Sequence, residues 1–410
     1  MKHEWKLSSL DLFSLGMVIE GAWVYSKCPD VDVLKGTLDR LLNCYPHLRD
    51  GYYNEESKSI EWDDTIRRPA AFEVRSEPAL SASCLSVNAH AVWGIARKYD
   101  IKGFKKGRVA PFSATLVKLK DGVVMYVQCA HAVMDGHSFY ALVRQWASLC
   151  RGEGITTMSI DQTLLPSPDA FSKEDALKAV QDSGWCKMKG KALLSMLFNL
   201  IRSNAINYTY ETEVGQQEIT SLKESCDVGT NAVLSAMAAR KLFARLPDKK
   251  CFKAIFVADL RGHFPGIGND FFGNFSQALP LGDEFAVSGH IGELAGRIEH
   301  RLRTILSSDE PEKMLRLSAC ASRYGLPYFY FDATDMNCPN PGTIYINNQL
   351  KFRACEIDFG NGYPLYAYPN RLSDMVKLWQ PVSGGPVQII YGGFAARLMR
   401  GAPAACRKND

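Results

Sequence analysis

The residues whose types and spacing can do chemistry gather around one histidine. His131 stands in the stretch HAVMDGHS, after the strongly β-forming run VVMYVQCA and before a helical pattern. An imidazole, with an unperturbed pKa of about 6.5, accepts a proton near neutral pH. General-base help of that kind is worth roughly 10²–10⁴-fold in rate. Asp135 follows four residues later, but that spacing alone does not make a dyad; in a tight loop the carboxylate can equally brace the turn. Taken alone, His-x-x-x-Asp fits a satisfied structural histidine better than a catalytic one. His131, Asp135 and His137 also offer three potential metal ligands. Gly136-His137-Ser138 reads better as the entry to a helix, and no metal is expected. Cys129 and His131 share a strand face, yet nothing in the sequence activates the thiol.

Two further strings carry candidate groups. Asp358-Phe359-Gly360-Asn361-Gly362 begins with the DFG triplet of protein kinases. The rest of that signature is missing, with no glycine-rich phosphate loop before a V-A-I-K strand and no H-R-D loop. By itself the string reads as a glycine turn after a strand. Asp259-Leu260-Arg261-Gly262 closes another strand pattern, and Phe272-Gly273-Asn274 follows it. A guanidinium fixed at a strand end can hold a carboxylate by two hydrogen bonds; as a surface ion pair it is worth little.

These residues need elements to position them. FSATLVKLKDGVVMYVQCAH reads as two β runs joined by Asp121-Gly122, a hairpin cue, and the second run leads straight to His131. FYALVRQWASLC then has helical spacing, so the local order is strand, tight polar loop, helix. VDVLKGTLDRLLNCYP places Val31, Leu34, Leu38, Leu41 and Leu42 on one helical face, with Asp30 as N-cap and Pro46 past the end. DVGTNAVLSAMAARKLFARL predicts a helix capped by Thr230 or Asn231. KAIFVADLRGHF predicts a buried strand and a polar turn. GTIYINNQLKFRACEIDFGNG predicts strand, loop, strand and turn, and PVQIIYGGF a further strand. Pro166 and Pro168 break regular structure. A charged helix and then a basic, apolar helix are expected after them, the latter packed on its own protein or lying on a membrane surface. Helices and strands in both halves imply an α/β protein, divided as 1–165, a crossover over 166–210, and 211–410.

The composition excludes several classes. With 410 residues the chain has room for roughly two or three domains. Its 48 basic and 44 acidic side chains leave a net charge of +4, too balanced to imply nucleic acid as a partner. Twelve cysteines are scattered, without a C-x-x-C pair or zinc spacing, and are expected to be reduced thiols. The N-terminus lacks the apolar core of a signal peptide, and no apolar run is long enough to span a bilayer. A cytoplasmic, monomeric protein is expected.

In combination the strings are far more specific. The order HAVMDG, DLRG, FFGN, DFGNG resembles the BAHD acyltransferases of the chloramphenicol-acetyltransferase-like superfamily, whose hallmarks are H-x-x-x-D-G and D-F-G-W-G. The opening LSSLDLF resembles that family's L-S-x-x-D start. LKGTLDRLLNCYPHLRDG resembles its first helix, and WQPVSGGPVQIIYGGF its closing strand. The resemblance implies two similar α/β halves of mixed sheets with flanking helices, joined by a long crossover, with the active-site channel between them. It implies an acyl-coenzyme A co-substrate, no permanently bound cofactor, and a small-molecule acceptor.

By the same resemblance His131 is the general base, and the acceptor attacks the thioester without an acyl-enzyme. Asn347 takes the place of a family Thr or Ser near the oxyanion, beside Asn348. Asp135 pairs with Arg261 and, with Gly136, shapes the histidine loop. Asp358 and Gly360 shape the channel wall, and Thr230 and Asn231 border the coenzyme at a helix start. Two departures stand out: Asn361 replaces the family Trp, and KFRAC replaces its Leu-Pro, as in a divergent member. Two other functions compete on the same scaffold. One is a condensation-type domain with a carrier-bound donor, whose usual doubled histidine is here Ala130-His131. The other is a non-catalytic binding protein.

Overall fold

Alternation, helical spacing and turn residues divide the chain into short elements, which the computed structural model describes for residues 1–66, 70–86, 88–161, 164, 172–175, 178, 209–264, 266–316, 342–371 and 375–400. The chain begins with β1 (Lys2–Lys6), α1 (Ser9–Phe13), β2 (Val18–Tyr25), α2 (Val31–Cys44), α3 (Pro46–Arg49), β3 (Tyr52–Asn54) and β4 (Ser59–Asp63). Next come β5 (Phe72–Glu77), α4 (Ala82–Leu85), α5 (Ala89–Ile95), α6 (Ile101–Lys105), β6 (Phe112–Leu119), β7 (Val123–Ala130) and α7 (Gly136–Cys150). The later part holds β8 (Thr209–Val214), α8 (Gln216–Cys226), α9 (Thr230–Phe243), β9 (Cys251–Asp259), β10 (Ser276–Pro280), β11 (Phe285–Ala286) and α10 (Ile291–Leu306). It ends with β12 (Thr343–Asn348), β13 (Tyr366–Tyr368), β14 (Val376–Trp379), β15 (Val387–Gly392) and α11 (Gly393–Met399). Most of the crossover expected over 166–210, with Pro166, Pro168 and the basic helix, lies outside the described residues; from Thr209 the chain is already strand.

Local signals account for the elements that frame the site. Asp30 caps α2 by accepting the N–H groups of Asp32 and Val33. Leu34, Leu38, Leu41 and Leu42 are fully buried along one face, each worth about 1.5–3 kcal/mol. The β6–β7 hairpin turns at Asp121-Gly122. All eight residues of β7 are buried, because this strand lies inside a sheet of order β13-β2-β7-β6-β5. Met125, Val127 and Cys129 face the core that holds α2 and α7. Val124 and Tyr126 face the α4–α5 side. A small sheet, β1-β4-β3, closes the edge.

The second core lies on a sheet of order β10-β9-β12-β14-β15-β8, with β11 on β9. Its β12 runs parallel to both β9 and β14, and α9 and α10 supply Leu234, Leu242, Leu294 and Ile298 to the core. The architecture is thus α/β, with mixed sheets in each half.

One expectation needs correction. KFRACEI is not a second strand but two 3₁₀ turns, Leu350–Phe352 and Ala354–Glu356, separated by Arg353 at φ 44°. Some residues late in the chain also pack with the first half. Phe352, Ile357 and Phe359 pack into the first core, Trp23 Nε1 donates to the Ala354 carbonyl at 2.9 Å, and β13 pairs with β2. Trp379 joins that core too, with its ring 6.0 Å from Tyr140 of α7, so α7 lies between the two sheets. Among the described residues no helix is long and apolar enough to cross a membrane.

Candidate active site

The histidine loop is the 131–135 connection between β7 and α7. Strand β7 ends with Ala130 opposite Val18 of β2, and Ala130 N–H is donated to the Pro111 carbonyl at 2.8 Å. His131 N–H goes to the Met17 carbonyl at 3.0 Å. The imidazole is half-buried, and its Nδ1 is buried without a hydrogen-bond partner. Burial lowers its pKa below the ordinary histidine value, outweighing the opposing pull of its own carbonyl, Asp135 and Asn274. The ring is therefore neutral at pH 7 and has a lone pair to offer.

Asp135 points away from that ring. Its side chain caps α7 by accepting Ser138 N–H at 3.1 Å. Arg261 grips both oxygens, at 2.8 and 3.2 Å. Phe275 N–H and Ser276 Oγ donate to Oδ2, each at 2.9 Å. Burial pushes this carboxyl up, but the Arg261 guanidinium and the N–H donors pull it below its usual value. Arg261, its side chain fully buried, spends its remaining donors on Asp259, Ser138 and the carbonyls of Phe271 and Gly273. A buried pair survives only when its lone pairs and protons are matched in this way. The expected Asp135–Arg261 contact is thus present, and it joins the histidine loop to the second half.

Asp259 carries the network outward. Its Oδ2 accepts Lys351 Nζ at 2.7 Å and faces His137 Nδ1 at 3.0 Å, and against burial the His137 hydrogen bond and the Arg261 and Lys351 charges hold the carboxyl well below the usual range. The other nitrogen of His137 lies 2.8 Å from the Asn269 carbonyl. Both Asp135 oxygens are thus taken up by donors of the second half and not shared with His131. Gly136 is required for a different reason: a Cβ there would sit 2.8 Å from the Phe352 ring.

Sequence reasoning saw Asn274 and Asp11 only as parts of strings and gave them no role. Asn274 is buried, and its Nδ2 donates to the His131 carbonyl at 2.8 Å and to Asp11 Oδ1 at 2.7 Å. Gly273, at φ 136°, turns its carbonyl to Asp135 N–H and Ser138 Oγ, at 3.2 and 3.1 Å.

Asn347 and Asn348 separate onto the two faces of β12. Asn348 donates to Asn231 Oδ1 of α9 at 3.0 Å, so it faces the second core. Asn347 lies on the other face, beside Lys377 in register; its amide is turned to the Met375 sulfur at 3.4 Å, not to His131. That face is linked to β2: Lys377 donates to the Asn370 carbonyl, and Asn370 reaches the Val18 carbonyl at 3.4 Å. Tyr345, two residues earlier on the same face, is half-buried, and burial raises its phenol; polar residues alternating with Ile344 and Ile346 were the signal for this face.

Thr230 and Asn231 are the first helical residues of α9 and not its cap, which is Gly229 with no side-chain bond. Gly229 N–H is taken by the Glu299 carboxylate at 2.8 Å. Negative charge already stands at this helix start, so it suits amide groups better than a phosphate.

Asp358 and Gly360 lie at the far end of α7. Asp358 Oδ1 accepts the N–H groups of Gly360 and Gly362, both at 2.8 Å, and its carbonyl accepts from Arg151. Phe359 packs on Trp146, with centroids 4.9 Å apart. A helix of 15 residues separates this turn from the histidine loop by about 20 Å at 1.5 Å per residue.

The family model described as the Transferase family matches residues 96–205, which include His131 and Asp135. The chain is 25% identical over 307 residues to BAHD acyltransferase DCR of Arabidopsis thaliana, covering 68% of this chain but only 58% of that protein. It is 24% identical over 376 residues to tryptamine hydroxycinnamoyltransferase 2 of Oryza sativa subsp. japonica, covering 85% and 80%. Among solved structures, F. sporotrichioides TRI101 complexed with coenzyme A and T-2 superposes with a TM-score of 0.72 at 16% identity, covering 97% of each chain; a likeness at that identity establishes the fold.

Proposed function

We propose that this chain is a divergent BAHD acyltransferase, a reading supported by the family-model match and the two plant relatives, and that it transfers an acyl group from an acyl-coenzyme A thioester to a hydroxyl or amine of a small molecule. The observation that carries this reading is the division of labour in the histidine loop. Asp135 is consumed by Arg261 and the N–H donors around it, which leaves His131 neutral, half-buried and unpaired with that carboxylate. That TRI101 was solved with coenzyme A supports the choice of donor.

The chemistry follows from these groups. His131 Nε2 takes the proton of the acceptor O–H or N–H as that atom attacks the thioester carbonyl. The new C–O or C–N bond gives a tetrahedral oxyanion. Collapse breaks the C–S bond, and the leaving thiolate takes the proton from the imidazolium, so neither acyl group nor proton stays on the enzyme. Asn347 supplies an N–H to the oxyanion after turning from Met375. Thr230 and Asn231 receive the amides of the pantetheine arm.

The reading is tested by incubating the protein with a panel of acyl-coenzyme A donors and acceptors. Free thiol is measured, and acylated product is detected by mass spectrometry. His131→Ala is expected to lower turnover by roughly 10²–10⁴-fold with its thermal unfolding unchanged. Wild-type turnover by that variant overturns the assignment.

A further inference from the structure

We propose that Asp11 is a positioning residue: from the N-terminal segment it fixes the Asn274 amide, which holds the His131 carbonyl and thereby sets the direction of the imidazole. The inference rests on His131 being the base. It begins with what does not orient the ring. A catalytic imidazole is commonly aimed by a carboxylate at its second nitrogen, but His131 Nδ1 is buried with no hydrogen bond of good geometry, its polar surroundings are the His131 and Met134 backbone and the Asn274 side chain, and the loop carboxylate, Asp135, is committed to Arg261. The ring direction is then inherited from the backbone and the packing around it.

That backbone is gripped at both ends of the residue. Met17 takes the N–H at 3.0 Å, and Asn274 Nδ2 donates to the carbonyl at 2.8 Å. The second hydrogen of the same nitrogen goes to Asp11 Oδ1 at 2.7 Å. Because both partners are acceptors, flipping the amide would set Asn274 Oδ1 against two oxygens, so Asp11 dictates which way Asn274 lies. Asp11 is itself locked: it is fully buried, its Oδ2 accepts Ser8 N–H at 2.8 Å, and its own N–H donates to Ser8 Oγ at 3.3 Å. Both grips on His131 therefore run through residues 8–17. Burial raises the Asp11 carboxyl to about 6, against the lowering pull of Asn274 and Ser8, so its ionisation can be followed in a folded protein.

A purely structural Asp11 would cap α1 and tie it to the second half without affecting the imidazole. The two roles separate in protein carrying ¹³Cε1-histidine, with the His131 signal identified by its loss in His131→Gln. Asp11→Ala is expected to shift that signal and to lower kcat roughly 10- to 100-fold, the scale of a misplaced catalytic group, with KM little changed. Asp11→Asn keeps one acceptor oxygen for Asn274 but turns its NH2 toward Ser8 N–H, and is expected to restore both in part. Ser8→Ala loosens only the cap and leaves both as in the wild type. The wild-type His131 signal should also show an inflection near 6, absent from Asp11→Asn. Folded Asp11→Ala with a wild-type His131 signal and kcat overturns the proposal, as does Ser8→Ala reproducing the Asp11→Ala effect. Should Asp11→Ala not fold, Asn274→Ala, which removes the same grip on the His131 carbonyl, decides, and a wild-type His131 signal in that variant overturns the proposal. If no acyl transfer is found for the wild type, the proposed function fails, while the ring signal still tests Asp11.

Discussion

At one end of α7, Asp135 is buried and takes hydrogen bonds from Arg261, Ser138, Phe275 and Ser276. At the other end, Asp358 is half-buried and takes two backbone N–H groups from Gly360 and Gly362. Both aspartates belong to strings that stand out in the sequence, yet their energetics differ in kind. Asp135 is half of a charge pair that joins two cores, where removal of one partner strands the other in a low-dielectric interior. Asp358 shapes a turn of its own chain, where water can replace much of what is lost. A motif aspartate beside a functional site can therefore serve long-range assembly or local geometry, and burial together with the identity of its partners distinguishes the two.

The largest effect is expected at the Asp135 end. Arg261→Ala leaves Asp135 and Asp259 with no guanidinium between them, and breaking a buried pair in this way costs about 3–5 kcal/mol. Urea unfolding should show this as a lower midpoint with an unchanged slope. A loss under about 1 kcal/mol, the scale of a surface pair, would erase the contrast between the two ends of the helix.

How much of this was legible depends on the range over which each signal acts. The α2 face, the β6–β7 hairpin, β9 and β15 are written in local spacing and turn residues, and the sequence reading placed them where they lie. The cap of α9 was placed one or two positions late, at Thr230 or Asn231, because Gly229 caps it with no side chain, so there was no polar cap to find. KFRACEI alternates like a strand, but Arg353 in a left-handed conformation breaks it into 3₁₀ turns. The Asp135–Arg261 pair was expected only through family resemblance. The Asp11–Asn274 bond joins residues 263 apart, and no periodicity reports a contact of that kind.

A pH-dependent effect of intermediate size also belongs to the Asp135 end. His47 packs edge-on against Phe272, with ring centroids 5.5 Å apart, and Phe272 immediately precedes the Gly273 carbonyl that receives Asp135 N–H. Burial among aromatic rings lowers the His47 pKa from 6.5 to about 3. The folded state keeps this ring neutral while the unfolded chain takes up a proton below 6.5. Its contribution is therefore complete above that pH and is lost as pH falls toward 3. The slope is about 1.4 kcal/mol per pH unit, or about 2 kcal/mol between pH 6.5 and 5. The stability difference between wild type and His47→Phe, measured by urea unfolding across this range, should change with that slope and sign. A constant difference would show that His47 is protonated in the folded protein or accessible to water.

The smallest effect is expected at the Asp358 end. Asp358→Ala removes an acceptor from two glycine N–H groups that lie near solvent, so the net loss is that of ordinary hydrogen bonds, about 1 kcal/mol. The backbone reinforces this expectation: Gly360 and Gly362 hold φ values of 101° and 95°, which glycine adopts without cost. Phe359 remains anchored on Trp146 and Tyr25. The turn therefore has a conformational preference and an apolar anchor that do not depend on the carboxylate. Turnover should change less than twofold, because the variant leaves the histidine loop at the other end of α7 untouched, about 20 Å away. A loss as large as that of Arg261→Ala would mean that the turn transmits to the site through α7, and the two ends of the helix would then act as one unit.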